Sequence, residues 1–390
     1  MSLKVNLWRK EYMEYVALKD VCKINMGQSP DSSSYNDKKE GIPFYQGNAD
    51  FGEKHPIPRV WCNAPTKIAQ PKDILMSVRA PIGALNYAQE KCCIGRGLAA
   101  ITPDKDKLSL EFLYWFLRGK NSELNSKGTG STFKAISKKT LEEIRVPLID
   151  LEKQQKMAQA LEKTYSVIQM RTKQLKELDD LIKARFVEMF EDKEKAWPVV
   201  TIADICKDSR TGPFGSALHH DEFVNEGIFV LGIDNAVENK FSYNRMRYIT
   251  EDKYQQLKRY TVYPGDVIIT IMGTVGRSAV IPKDMPKAIN TKHLACLTPD
   301  AGVVDSYFLC NAFQIHPDIK QQLRGQTKGA IMDGLNLTII KGLKFRLPPL
   351  ELQKQFSDFV NQIDKSKVTV QKALDETQLL FDSLMQQYFG

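Results

Sequence analysis

Two short stretches place an arginine beside a tight turn. Arg79-Ala-Pro-Ile-Gly83 and Met272-Gly-Thr-Val-Gly-Arg277 each follow a β-rich apolar run, Ile74–Arg79 and Val267–Met272. A guanidinium fixed in this way presents its donors as a rigid fork toward a base edge or a phosphate. Two further pairs of loops mix small, polar and basic residues. Lys127-Gly-Thr-Gly-Ser-Thr-Phe-Lys134 aligns with Lys328-Gly-Ala-Ile-Met-Asp-Gly-Leu335, and Gly95-Arg-Gly97 lies opposite Thr291-Lys-His293. Positions match while chemistry differs. Readers of different base sequences need this, because donors and acceptors must suit each base pair while the frame stays constant. The candidate DNA contacts are Arg79, Arg96, Lys127, Ser131 and Lys134 in the first half, and Arg277, Lys292, His293, Thr327 and Lys328 in the second.

Other chemistries find no support. Neither turn has the lysine and hydroxyl of a Gly-x-x-x-x-Gly-Lys-Ser/Thr phosphate loop, nor Gly-x-Gly-x-x-Gly spacing. Asn63-Ala-Pro-Thr66 is the nearest run to an amino-methylation motif, and it lacks the second proline and the aromatic that would stack on a flipped base. The seven cysteines include the adjacent pair Cys92-Cys93 but no Cys-x-x-Cys, so they read as reduced thiols rather than a disulfide framework or a zinc site. Cys22 and Cys206 sit between apolar residues as small hydrophobes. His219-His220-Asp221 has no further ligand cluster in reach by sequence, which argues against a metal. No catalytic residue is assigned.

The elements that must position the loops occur twice. Val16-Ala-Leu-Lys-Asp-Val-Cys-Lys23 returns as Val200-Thr-Ile-Ala-Asp-Ile-Cys-Lys207, and Pro71-Lys-Asp-Ile-Leu-Met76 as Pro264-Gly-Asp-Val-Ile-Ile269. Leu98-Ala-Ala-Ile-Thr-Pro103 matches Leu294-Ala-Cys-Leu-Thr-Pro299, and Val146-Pro-Leu-Ile-Asp-Leu-Glu-Lys-Gln154 matches Leu347-Pro-Pro-Leu-Glu-Leu-Gln-Lys-Gln355. The offsets grow from 184 to 193, 196 and 201 residues, so the second copy carries extra loop residues between shared scaffold elements. Each copy has an α+β pattern. Two domains are also expected from a length of 390 residues.

Composition fits this reading: 42% hydrophobic and 26% charged residues describe an ordinary globular chain. No stretch approaches a membrane span, and the start, Met1-Ser-Leu-Lys4, lacks a secretory apolar run, so a cytoplasmic location is expected. The net charge of +8 is unevenly placed. Residues 1–150 hold 23 basic against 17 acidic residues and 196–350 hold 18 against 15, while 151–195 are nearly balanced and 351–390 are acidic. A polyanion suits the basic parts, and a protein partner suits the rest.

Those remaining segments, 151–195 and 351–390, follow Ile144-Arg-Val-Pro147 and Phe345-Arg-Leu-Pro348 and change to a seven-residue period. The first seam runs through Leu161, Ile168, Leu175, Ile182 and Met189, beside Ala158, Tyr165, Thr172, Asp179 and Phe186. The second runs through Phe356, Ile363, Val370, Thr377 and Leu384, beside Val360, Lys367, Leu374, Phe381 and Tyr388. Each predicts a helix of roughly 60 Å. The expected fold is two tandem globular domains, 1–150 and 196–350, separated by an antiparallel pair of long coiled-coil helices. Leu178, Leu181, Leu379 and Leu380 flank the seams and are left for a protein partner.

Taken with the starts Gly27-Gln-Ser-Pro30 and Gly212-Pro-Phe-Gly-Ser216 and the Pro-then-Leu-x-x-Gln opening of each long helix, the chain resembles the specificity subunit of type I restriction-modification enzymes. Arg79-Ala-Pro-Ile-Gly83 with Cys93-Ile-Gly-Arg-Gly97 also looks like a common form of the family's first target-recognition domain. The resemblance implies a non-catalytic reader of a bipartite double-stranded DNA site that recruits methyltransferase subunits along its helices, and restriction/translocase subunits. S-adenosylmethionine, ATP and magnesium would be bound by those partners. The alternatives are the recognition part of another defence methyltransferase, or a coiled-coil scaffold carrying two carbohydrate- or protein-binding modules.

Overall fold

The computed structural model describes residues 14–129, 134–191, 196–214, 217–327 and 335–390. It divides into two compact units: one runs to Thr172 and resumes at Lys372–Gly390, and the other is Lys173–Gln371. Each unit therefore holds one globular repeat and a part of both long helices.

In the first unit, strands Cys22–Met26, Leu98–Pro103, Ile74–Ser77 and Leu85–Tyr87 form an antiparallel sheet in that order. A second sheet orders Tyr35–Asn36, Val60–Cys62, Ile42–Tyr45, Cys92–Ile94 and Ile68–Ala69, with Phe44 beside Cys93 in parallel. The second unit repeats the plan with Cys206–Thr211, Leu294–Pro299, Val267–Thr270 and Ser278–Val280. Its other sheet orders Tyr248–Ile249, Ile228–Leu231, Ala288–Asn290 and Thr261–Val262. Strands Ile74–Ser77 and Val267–Thr270 are buried along their whole length, so they read as continuous apolar runs rather than alternating ones.

The repeated Pro-x-Asp motif builds the turn ahead of these strands. Asp73 N–H donates to the Gln70 carbonyl and Asp266 N–H to that of Tyr263, both at 3.0 Å. Lys72 and Gly265 sit at φ +75° and +86°. Proline at the second position and a positive φ at the third make a type II turn. The aspartates, both buried, accept back from Gln70 N–H at 2.7 Å and Tyr263 N–H at 2.9 Å. In each unit the opening strand pairs with the strand that leads into a long helix: Glu14–Ala17 with Arg145–Leu148, and Val199–Thr201 with Lys344–Arg346.

The long helices span Leu151–Phe190 and Leu350–Phe389, 40 residues each. Their shared Leu-x-x-Gln opening has a plain physical cause. Gln154 is fully buried; its oxygen accepts from Ser109 N–H at 2.8 Å, and its amide donates to the carbonyls of Lys107 at 2.8 Å and Ile149 at 2.7 Å. Gln353 repeats this with Asp305 N–H at 2.9 Å, Val303 at 3.3 Å and Pro348 at 2.7 Å. Ser109 and Asp305 are the N-caps of helices Leu110–Gly119 and Ser306–Ile315. One glutamine thus ties each long helix to the start of the helix that packs on the sheet.

The heptad seams do two jobs. In the first unit Tyr165 and Phe381, one from each long helix, meet Trp115 at centroid distances of 5.3 and 5.5 Å. In the second, Phe186 and Phe356 pack at 5.4 Å and both join the core around Phe308. The early part of one helix lies beside the late part of the other, which makes the pair antiparallel. Asp179 and Lys367, charged residues within the two seams, are partners at 2.6 Å. Seam positions between these contacts, such as Ile168 and Leu175, are only half-buried.

Replacing Gln154 by Met keeps the volume but strands one N–H and two carbonyls in a dry site. We expect a loss of about 3 kcal/mol, read as a lower urea midpoint for the first unit, with Gln353→Met acting likewise on the second; unchanged midpoints would refute the assignment of the motif.

Candidate nucleic-acid interface

The loops singled out by residue type emerge from the same ends of the strands. In the first unit Ile74–Ser77 ends at the Arg79 turn, Cys92–Ile94 ends at Gly95, Ile42–Tyr45 ends at Gln46, Cys22–Met26 ends at Gly27, and Leu98–Pro103 begins there. Backbone bonds fasten the loops together. Val78 N–H donates to the Gly97 carbonyl at 2.9 Å, Gly95 N–H to Tyr45 at 2.8 Å, and Gly27 N–H to Leu98 at 2.8 Å. Ile136 N–H donates to Val78 at 3.0 Å and Ala80 N–H to Lys134 at 3.0 Å. This folds residues 134–136 onto the Arg79 turn and gathers Arg79, Arg96 and Lys134, all exposed, at one end of the unit.

The second unit repeats two of these bonds. Ile271 N–H donates to the His293 carbonyl and Thr291 N–H to that of Leu231, both at 2.9 Å. The two tight turns close alike, Gly83 N–H on Ser77 at 2.8 Å and Gly276 N–H on Thr270 at 2.9 Å, with φ +87° and +83°. Lys292 and His293 are half-buried at the position of Arg96-Gly97, and Arg277 is exposed beyond Gly276. Burial, then the charges of Lys292 and Arg247, lower the His293 pKa. Its ring therefore stays neutral near pH 7, with one donor and one acceptor to offer.

The remaining candidates are placed differently. Lys127 is exposed but salt-bridged to Glu123 at 2.6 Å on its own helix, and with Lys120 it holds that carboxyl below the usual range. Ser131, Lys328 and the side chain of Thr327 lie outside the described residues. Leu379 and Leu380 are exposed on the second long helix, in the first unit. Leu181 is exposed and Leu178 half-buried on the first long helix, in the second unit. Among the described residues no group of three or more His, Cys, Asp or Glu could hold a metal, and no helix is long and apolar enough to cross a membrane. His219 instead opens a short turn, its N–H donating to Glu222 at 2.7 Å. Cys22 is buried and Cys206 half-buried; burial pushes both thiols up to about 12.

The sequence reading missed one loop in each unit at this same end. Gly47 precedes a short turn closed by Asp50, and Gly232 one closed by Asn235, which accepts from Gly232 N–H at 2.8 Å. The signal was present as Gly-Asn-Ala-Asp50 against Gly-Ile-Asp-Asn235. The first copy has one residue more before its glycine, the exposed Gln46. Arg247 donates to Asp234 of the second loop at 2.8 Å.

Residues 10–180 and 194–377 both match the family model of the type I restriction modification DNA specificity domain. Over 157 residues the chain is 45% identical to the MjaX specificity subunit of Methanocaldococcus jannaschii, covering 40% of this chain and only 37% of that relative's length. Over 411 residues it is 22% identical to the type I restriction enzyme EcoBI specificity subunit of Escherichia coli, covering 96% and 85%. A crystal structure of the type I restriction-modification system S subunit from M. genitalium aligns with a TM-score of 0.59 at 16% identity, covering 100% and 98% of the two chains. At that identity the likeness is one of fold.

Close approach, rather than a positive φ, requires glycine at 27 and 212. A Cβ on Gly27 would meet the Gly95 carbonyl oxygen at 2.1 Å, and one on Gly212 would meet that of Asn290 at 2.1 Å. Gly212→Ala is expected to loosen the 291–293 loop and spare 95–97, with Gly27→Ala doing the reverse. Hydrogen exchange resolved by peptide checks this, and equal exchange in the two loops would contradict it.

Proposed function

The chain belongs to the family of type I restriction-modification DNA specificity domains, and from that premise we propose that it is the non-catalytic specificity subunit of a type I restriction-modification complex, reading a bipartite site in double-stranded DNA. Residues 1–150 and 196–350 are the two target-recognition domains, each reading one half-site with an unread spacer between. Residues 151–195 and 351–390 are the spacer helices.

One observation carries this reading. Two loop clusters held by equivalent backbone bonds present different side chains, Arg79 and Arg96 in one and Lys292, His293 and Arg277 in the other. A constant frame with exchanged donors is what two different half-sites require. The excess of basic residues in the globular segments supports a polyanion partner. Modification subunits dock along the helices through Leu178, Leu181, Leu379 and Leu380, and restriction/translocase subunits complete the assembly. S-adenosylmethionine, ATP and magnesium belong to those partners, and the complex works in the cytoplasm.

Sequencing the methylome of cells expressing the full chain with its modification subunit tests the reading. A two-part methylated motif is expected; absence of sequence dependence would favour a scaffold instead. Affinity of the complex for its site should fall about a thousandfold or more between 50 and 200 mM salt, if six or more phosphates are contacted. Arg96→Ala should relax one half-site and Lys292→Ala the other, by about 1–3 kcal/mol of base discrimination each. Leu379→Asp, on an exposed and unpacked position, should abolish co-purification of the modification subunit without unfolding the chain; normal co-purification would remove that face from the proposal.

A further inference from the structure

The two reading ends differ at one glycine. Gly47 and Gly232 hold equivalent places at the start of the short turns, and neither has a positive φ. In front of Gly47 the space is open, with no atom within 4 Å of where a Cβ would stand. In front of Gly232 that position is filled by a guanidinium: a Cβ there would lie 2.5 Å from Nη1 of Arg247. The glycine makes room for the arginine.

Arg247 is held on three sides. Its carbonyl accepts from Val230 N–H at 2.8 Å, which fixes its backbone to the strand that runs into Gly232. Its Nη2 donates to the Asp234 carboxylate at 2.8 Å. Its Nη1 lies against the Gly232 backbone. The side chain keeps 26% of its surface open to solvent. Among the described residues Asp234 is its only hydrogen-bond acceptor and takes one Nη2 hydrogen, so Nε, Nη1 and the second Nη2 hydrogen remain to donate. Its charge also reaches His293 on the neighbouring loop. A second arginine, Arg245, stands 3.9 Å from the same carboxylate but is far more exposed.

We propose that Arg247, held by Asp234, is a base-reading residue of the second unit, directed at a guanine edge in the half-site that unit reads. This deepens the function proposed above and rests on it. A guanidinium whose plane is set in advance by a carboxylate loses little freedom on binding, and its second Nη2 hydrogen with that of the nitrogen beside it still makes a parallel pair of donors for the O6/N7 pair of guanine. The first unit draws its corresponding guanidinium from another element, Arg96 between Gly95 and Gly97, where the second unit has Lys292. The units therefore differ in where the fork comes from as well as in which residues they carry.

The test uses the full chain with its modification subunit, in wild-type form and as Arg247→Lys and Asp234→Asn. The methylated motif is sequenced, and binding is competed with duplexes varied one base pair at a time. Lysine keeps the charge and removes the fork. Arg247→Lys should therefore lower discrimination at one position about tenfold or more, in the same half-site that Lys292→Ala affects, while the other half-site stays sharp. Asp234→Asn leaves Arg247 in place but loosens its plane, so it should relax the same position to a smaller degree. Motifs left sharp in both variants would overturn the assignment. So would an equal loss of affinity for every duplex, which marks a phosphate contact, or relaxation in the half-site affected by Arg96→Ala. A wild-type complex that methylates without a bipartite motif would instead sink the recognition reading itself.

Discussion

One buried glutamine per repeat is the interaction on which the rest of the structure depends. A 40-residue helix that leaves a globular unit must be fastened near its first turn, because seam positions farther along, such as Ile168 and Leu175, are only half-buried. Gln154 and Gln353 do this by pairing with one backbone N–H and two backbone carbonyls each. No apolar residue could serve, since those groups are already dry and an unpaired one is costly. The same bonds brace the N-caps of helices Leu110–Gly119 and Ser306–Ile315, whose aromatic faces carry the core. In the second unit Ser357, one turn beyond Gln353, also donates to the capping carboxylate of Asp305.

With the frame closed by backbone bonds, side chains at the strand ends carry little structural duty. Val78 and Ile271 pair with the carbonyls of Gly97 and His293, residues with nothing in common except position. Space or conformation demands glycine at Gly83 and Gly276, for a positive φ, and at Gly27 and Gly212, for contact with a neighbouring backbone. The core shows the same economy with different means. The buried Asp73 is satisfied by Thr102 at 2.7 Å, whereas Asp266 takes the half-buried Arg210 at 2.5 Å.

Much of this was legible in the sequence where a motif did structural work in both copies. The Pro-x-Asp turns, the Leu-x-x-Gln helix starts and the heptad seams all mapped onto elements, and the helix starts, with the tandem repeat and the Gly27 and Gly212 openings, carried the likeness to specificity subunits. Asp179 and Lys367 show the limit. Read along one helix, each interrupts an apolar seam; read across the pair, they satisfy one another. Partnership across 188 residues leaves no local signal. The Gly47 and Gly232 turns escaped for another reason. A length difference of one residue shifts their registers, and Asp50 in one copy is replaced by Asn235 in the other. Arg247 belongs to no repeated motif at all, so only its place beside Gly232 reveals it.

That last case states what a duplicated frame permits. Residues kept in both copies hold the fold, and residues that differ are free to differ because backbone bonds carry the load. A glycine can then mean two things at equivalent positions. At 47 it leaves open space beside an exposed glutamine, and at 232 it admits a guanidinium that a carboxylate two residues later keeps in one plane. The second arrangement costs the turn nothing, since Asn235 still closes it. New chemistry entered at a position where the first copy leaves space unused and the second fills it with an arginine that only glycine admits.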